Sequence, residues 1–81
     1  MKIYIRFFLG GCKPIQVESD TITILELKQQ IQEQLKEYRE YRIDKLYIIY
    51  SSVLIKNTDD QKTLKDFNIG DNSYITIVLK L

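Results

Sequence analysis

The sequence predicts an α+β fold in which one long helix packs across one face of a mixed β-sheet. Apolar and polar residues alternate near both ends of the chain, which is the period of half-buried strands. Between these segments, apolar residues recur with the period of an amphipathic helix. The resulting order is two strands, a helix, two strands, a short helical turn and a last strand. A chain of 81 residues has room for one such sheet and helix around a single core.

The chain begins with a predicted hairpin. Residues 1–6 alternate apolar and polar side chains, and a second alternating run covers residues 15–18. Gly10 and Gly11 lie between the runs, and glycine accepts the positive φ that tight turns require. Pro14 has no N–H to donate, so it places the second strand at an edge or an irregularity of the sheet.

A helix is predicted to begin after Thr23. Thr23 and Glu26 have the spacing of a capping box, and Ile22 and Leu27 that of a hydrophobic staple. The pattern continues past residue 35, with the end of the helix left open near residue 40, and the polar residues of 28–37 are expected to be covered by water. The apolar face comprises Ile24, Leu27, Ile31, Leu35 and Tyr38.

The second half of the chain supplies the remaining strands. Residues 46–50 read as a strand with two apolar faces, a Ser51-Ser52 turn follows, and residues 53–55 form a short strand before a polar loop. Thr63 and Asp66 cap a single helical turn. The final strand alternates apolar side chains over residues 75–79, and we expect it to pair in parallel with the first strand at the centre of the sheet.

The composition removes several classes of function. The chain has no His, so it cannot form a Ser/His or Cys/His nucleophile pair or a zinc site that uses His. The lone Cys12 cannot close an intrachain disulfide. The net charge is +1 with the signs interspersed, which does not support a nucleic-acid footprint. No apolar run approaches the roughly 20 residues of a membrane span, and no signal peptide is visible.

Four segments then point to a known family. They are Met1-x-Ile3-x-Ile5-Arg6, Thr23-Ile24-x-x-Leu27-Lys28-x-x-Ile31, Thr63-Leu64-x-Asp66-Phe67-Asn68-Ile69, and the unbroken run from Ser73 to Leu81. In this order and spacing the chain resembles ubiquitin and the ubiquitin-like domains over nearly its full length. The resemblance implies a β-grasp roll formed by one domain over residues 1–81. The lengthened segment around Glu37–Asp44 is similar to the ubiquitin-like domains of proteasome shuttle proteins, so the domain is expected to be the N-terminal part of a longer adaptor.

Two departures concern conjugation. A covalently attached member of the family needs a flexible tail that ends in Gly-Gly, whereas the sequence stops at Lys80-Leu81. The lysine that the family uses for proteasomal chains would fall near Ser51-Ser52. The main expectation is therefore an interaction domain. The alternative is a modifier whose Gly-Gly tail lies outside this sequence.

The strand pattern also predicts a binding face. If Leu46 and Ile48 point into the core, their neighbours in the strand point outward, and the same holds in the last strand. An apolar cluster on an outer sheet face suggests recognition, and the resemblance implies the same place, since family partners lay an amphipathic helix across it. A register slip of one residue would exchange the inward and outward sets. The predicted protein-binding residues are Phe8, Leu9, Tyr47, Ile49, Thr76, Val78 and Lys80.

We therefore expect a non-catalytic, monomeric domain in the cytoplasm or nucleus, with no cofactor, no metal, and no nucleic-acid or membrane partner. The expected partners are ubiquitin-binding helices of proteasome receptors or of ubiquitin-pathway proteins. Lys80, with Lys2 and Arg6 nearby, would offer a basic rim to acidic residues beside such a helix. An enzyme is the least favoured alternative, because the carboxylate pair Asp59-Asp60 stands in a polar loop that would not raise a pKa.

Overall fold

A computed structural model describes residues 1–80, which form one helix and one five-stranded sheet. The strands are β1 (Lys2–Arg6), β2 (Cys12–Gln16), β3 (Leu46–Tyr50), β4 (Val53–Ile55) and β5 (Ser73–Leu79), and the helix is α1 (Ile24–Gln34). Four single-turn 3₁₀ helices cover Lys36–Tyr38, Ile43–Lys45, Asn57–Asp59 and Lys65–Phe67. The predicted α+β class, with one helix on a mixed sheet, is confirmed.

The sheet has the strand order β2-β1-β5-β3-β4. β1 and β5 run parallel at its centre, with Tyr4 opposite Tyr74, and every other pair of neighbours is antiparallel. The predicted parallel pairing of the first and last strands is therefore confirmed. Because these two strands are remote in sequence, their pairing closes the fold around α1.

The core fills the space between α1 and the inner face of the sheet. Every isoleucine except Ile43 and Ile49 is buried, together with Leu27 and Leu46. β-Branched side chains pack well on a pleated surface, which accounts for the use of isoleucine in both central strands. Ile49 is thus an isoleucine that the core does not require.

The start of α1 follows its local sequence. The Thr23 Oγ1 accepts from the backbone N–H of Glu26 at 3.1 Å, and the Glu26 carboxylate accepts from the Thr23 N–H at 3.1 Å. The predicted capping box is confirmed. It satisfies two N–H groups that the first turn of a helix leaves free.

The end of α1 lies earlier than the apolar pattern predicts. The helix ends at Gln34, and Leu35 is extended with φ −119° and ψ 107°. The Arg39 guanidinium donates to the Glu33 carbonyl at 3.1 Å, which satisfies a carbonyl of the last turn. Tyr38 nevertheless stays buried, because the 3₁₀ turn brings it back to the core.

Lys28 contradicts the expectation that water covers the polar residues of the helix. Its side chain has no exposed surface, and its ammonium donates to Asp60 Oδ1 at 2.7 Å and to Asn57 Oδ1 at 2.8 Å. Asn57 in turn donates to the backbone carbonyl of Asp44 at 2.7 Å. A buried charge needs such partners, and here they tie α1 to the loop that follows β4.

The outer edge of β2 is protected against further strand pairing. The Gln34 side-chain amide accepts from the Gln16 N–H at 2.9 Å and donates to the Gln16 carbonyl at 2.6 Å, as a neighbouring strand would. Pro14 lies within β2 and offers no donor. The predicted placement of this strand at an edge is confirmed.

Across residues 1–80 no helix is both long and apolar enough to cross a membrane.

Candidate protein-binding surface

The outer face of β3 and β5 carries five of the predicted site residues. Leu46 and Ile48 are fully buried, so Tyr47 and Ile49 face outward. The register sets Tyr47 opposite Val78 and Ile49 opposite Thr76, and Lys80 follows β5. Ile49 and Val78 are therefore diagonal neighbours on one face, at a distance that large side chains bridge. We call the residues Tyr47, Ile49, Thr76 and Val78 the sheet patch.

The β1–β2 hairpin carries two large, exposed apolar side chains. Phe8 is 80% exposed and Leu9 is 95% exposed. The turn holds them outward because Gly10 and Gly11 take φ values of +106° and +82°, a region that costs glycine little. Phe8 lines a cavity together with Val78, and Leu9 is not among the lining residues of that cavity.

A cavity of about 320 Å³ opens between the hairpin and the end of β5. Its lining is almost wholly apolar, and its volume is at the lower end of the range typical of ligand pockets, roughly 300–1,000 Å³. The lining residues are Phe8, Tyr38, Ile77, Val78 and Leu79. The sheet patch thus continues into a concave site that can take a large apolar side chain.

Tyr38 forms the floor of this cavity. Its ring packs against Phe7 with 5.8 Å between centroids. Burial, assisted by the charge of Glu37, raises the pKa of the Tyr38 hydroxyl above its usual value. The Glu37 carboxylate accepts a hydrogen bond from the Lys13 ammonium at 2.6 Å, and this bond lowers the pKa of the carboxyl. Both shifts move the pKa values away from neutrality, upward for the Tyr38 hydroxyl and downward for the Glu37 carboxyl.

Charge is unevenly distributed over the molecule. Within residues 1–80 the five strands contain no Asp or Glu; the acidic residues lie in α1, the 3₁₀ helices, the turns and the loops. The Lys80 ammonium lies over the Tyr47 ring, 5.8 Å from its centroid. The face that carries the sheet patch is consequently apolar in the middle and basic at its margin.

Two members of this surface were missed by the sequence reasoning. Tyr38 was assigned only to the core, although it also lines the cavity. Leu54 stands opposite Ile49 and is 42% exposed. Its outward direction was available from the sequence, because Ile55 next to it has to be buried and alternate residues of a strand face opposite sides.

The structure gives Asp59 and Asp60 structural partners. Asp60 pairs with the buried Lys28, and Asp59 pairs with Lys62 at 3.2 Å.

Cys12 is a free, exposed thiol at the start of β2. Among residues 1–80 no three His, Cys, Asp or Glu side chains gather as a metal site would require. The arrangement that stands out is therefore a contact surface.

Comparison with known proteins agrees with this architecture. The model of the family described as "Ubiquitin family" matches residues 3–81 of the chain. No curated protein matches the chain. Members of the matched family act in protein interaction or as modifiers, and their domains are generally non-catalytic.

Proposed function

Because the chain belongs to the ubiquitin family, we propose that it is an interaction domain that docks on ubiquitin-binding helices. Such helices occur in proteasome receptors and in enzymes of the ubiquitin pathway. The contact is made by the sheet patch together with Phe8, Leu9 and Lys80. The domain would serve as the recognition part of a larger adaptor.

One observation carries the proposal: the outer face of β3 and β5 presents apolar side chains that the fold does not need. Ile49 and Val78 are only partly covered, and Phe8 is 80% exposed beside the cavity. A contiguous exposed apolar patch that is rimmed by polar residues is typical of a protein-binding site.

A helix fits this surface better than an extended strand does. Neighbouring strands lie about 4.8 Å apart, so a helix about 10 Å in diameter covers β3 and β5 together. An apolar stripe on the helix would contact Ile49 and Val78, and one large side chain would enter the cavity beside Phe8. Lys80 stands at the margin, where an acidic residue of the helix can approach it.

The proposal can be tested by titrating the ¹⁵N-labelled domain with a synthetic ubiquitin-interacting helix from a proteasome receptor. We expect saturable chemical-shift changes at the sheet patch and at Phe8. Ile49→Ala combined with Val78→Ala should weaken binding by at least about tenfold, since each truncation removes apolar contact area from the centre of the interface.

Val53→Ala is a matched control for this experiment. Val53 is 53% exposed in β4, next to Leu54 but in the alternate set of side chains. The control should bind as the wild type does, and both variants should keep the dispersed spectrum of a folded domain. Undiminished binding by the Ile49→Ala/Val78→Ala variant would contradict the proposal.

The modifier remains the alternative within the same family. It would use the same face, but it would also require a mobile tail that ends in Gly-Gly after Leu81. The native sequence beyond Leu81 discriminates the two: a Gly-Gly terminus within a few residues favours the modifier, whereas a polar linker leading to another domain favours the adaptor.

A further inference from the structure

We infer that the tip of the β1–β2 hairpin binds the surface of an anionic lipid bilayer. Phe8 and Leu9 enter the interfacial layer of the bilayer, while Arg6 and Lys80 contact the lipid headgroups. The sequence-based expectation of no membrane partner rested on the lack of a spanning segment, and a protein can lie on a bilayer without crossing it. Phe8, Leu9 and Lys80 also belong to the proposed helix contact, but the inference does not rest on that contact.

The hairpin tip presents its largest apolar side chains to solvent. Phe8 is 80% exposed and Leu9 is 95% exposed, the two highest values among the large apolar residues of the chain as described. The cavity beside β5 accounts for part of Phe8 but not for Leu9. Binding at a lipid interface grows with the apolar area that leaves water, so these two side chains can supply an anchor.

The backbone of the turn holds this anchor away from the domain. The Phe7 N–H donates to the Gly11 carbonyl, and the Gly10 N–H donates to the Phe7 carbonyl, both at 3.0 Å. Phe7 stays partly buried against the core, so Phe8 and Leu9 form a convex projection. A protein partner would need a pocket that matches this projection, whereas a bilayer takes it up without one.

Basic residues lie around the tip. The hairpin residues 1–17 include no Asp or Glu, and the exposed Arg6 ends β1 beside the tip. Because β5 is parallel to β1 and antiparallel to β3, Lys80 and Lys45 lie at the same end of the sheet. The Lys80 N–H donates to the Lys45 carbonyl at 2.8 Å. None of these three cations has a carboxylate partner within residues 1–80.

The segment 36–45 closes this end of the domain, since Tyr38 stacks on Phe7 and Lys45 meets Lys80. Two of its acidic residues have basic partners, because Glu37 pairs with Lys13 and Asp44 pairs with Arg42. We call residues 6–13, the segment 36–45 and Lys80 the basic end.

The basic end concentrates the positive charge of the chain. It holds seven basic and three acidic residues, whereas the rest of the chain holds five basic and eight acidic ones. Basic residues beside a membrane are attracted to the negative potential of anionic lipids. The charge and the apolar tip therefore act at the same end, and they orient the domain with the tip toward the bilayer.

Tryptophan fluorescence can test the insertion, because the chain contains no Trp of its own. Leu9→Trp places the fluorophore at the tip, and Val53→Trp is the matched control, 53% exposed at the opposite end of the sheet. On addition of phosphatidylcholine vesicles that contain phosphatidylserine, the emission of Leu9→Trp should shift to the blue and that of Val53→Trp should not. Equal shifts, or no shift at the tip, would overturn the inference.

Vesicle flotation of the wild-type chain measures the affinity. Binding should weaken as salt is added and should be at least about tenfold weaker on pure phosphatidylcholine. Phe8→Ser with Leu9→Ser should weaken binding by about tenfold or more through lost apolar area. Arg6→Gln with Lys80→Gln should weaken it by a similar factor, since each cation near the surface contributes about fivefold.

The control for charge is Lys2→Gln with Lys65→Gln, which removes two cations from the start of β1 and from the 3₁₀ turn that precedes β5. It should bind vesicles nearly as the wild type does, and all variants should keep the dispersed ¹⁵N spectrum of a folded domain. Equal weakening by the two glutamine variants would overturn the inference, as would full binding by the serine variant.

Two further outcomes separate the possible partners. The Ile49→Ala/Val78→Ala variant should still bind vesicles, so a failure of helix docking is distinguishable from a failure of membrane binding. A single-stranded oligouridine that binds the basic end more tightly than the vesicles do would overturn the inference in favour of nucleic acid.

Discussion

Replacing Lys28 by Met tests how much the buried Lys28–Asp60 ion pair contributes to the unfolding free energy of the domain. The Lys28 side chain has no exposed surface, while that of Asp60 is 20% exposed. The variant removes the cation and leaves the Asp60 carboxylate and the Asn57 side-chain amide oxygen without their donor. Methionine fills much of the same volume, so the loss is electrostatic more than steric.

Breaking a buried pair by removing one partner costs about 3–5 kcal/mol. Because water can still reach part of Asp60, we expect the lower end, about 3 kcal/mol less unfolding free energy. For a domain of this size that corresponds to a fall in Tm of roughly 12–24 °C. It is a large part of the total, since small domains are stable by only about 5–15 kcal/mol.

Urea unfolding followed by far-ultraviolet circular dichroism measures this loss. Asp60→Asn and the double variant Lys28→Met/Asp60→Asn complete a double-mutant cycle. These substitutions leave in place the Asp60 backbone carbonyl, which accepts from the Leu25 N–H. The second substitution should cost about 2 kcal/mol less in the presence of the first. Lys62→Met is the control, because the exposed Lys62–Asp59 pair should contribute under about 1 kcal/mol. A Lys28→Met loss no larger than that of Lys62→Met would refute the reasoning.

Three further predictions follow from local structure. Ser51 and Ser52 form the β3–β4 turn with φ values of 52° and 67°, so Ser51→Asn with Ser52→Gly should raise the unfolding free energy by about 1 kcal/mol in urea titrations; a fall would contradict the turn geometry. Thr23→Ala should lower that free energy by about 1 kcal/mol and speed amide exchange of Glu26, whereas unchanged exchange would show that the cap is dispensable. The raised pKa of Tyr38 means that its neutral form stabilises the fold. This contribution to the unfolding free energy is complete below the unfolded pKa of about 10 and is lost as the pH rises above it. Between about pH 9 and 11, Tyr38→Phe should therefore lose less unfolding free energy than the wild type does. Equal losses would show that Tyr38 is not the cause.

The parts of the fold that depend on neighbours in the chain could be predicted from the sequence. The capping box joins Thr23 to Glu26 within one turn, and the alternation of β1 repeats every second residue. The Thr63–Asp66 cap is equally local, and both of its hydrogen bonds are present at 2.9 and 3.3 Å. Such signals lie within a few residues of the atoms that they position.

Two features of α1 depend on contacts that the helical pattern does not encode. The apolar pattern continues to Tyr38, yet the helix stops at Gln34, where Arg39 supplies a hydrogen-bond donor to the last turn. The helical pattern predicts that Lys28 is exposed. In the folded domain its ammonium instead contacts Asn57 and Asp60, which are about thirty positions away in the chain. No helical period encodes either arrangement.

The sequence by itself determined the order of the elements, the inward and outward sides of the alternating strands β1 and β5 and the absence of histidine chemistry. These properties follow from residue types and from their spacing along one segment. The tertiary structure decided which outward residues meet: Tyr47 with Val78, Ile49 with Leu54, and Tyr4 with Tyr74. Strand register is set by the packing of the whole core, because a shift by one residue would turn every buried isoleucine of a strand toward water.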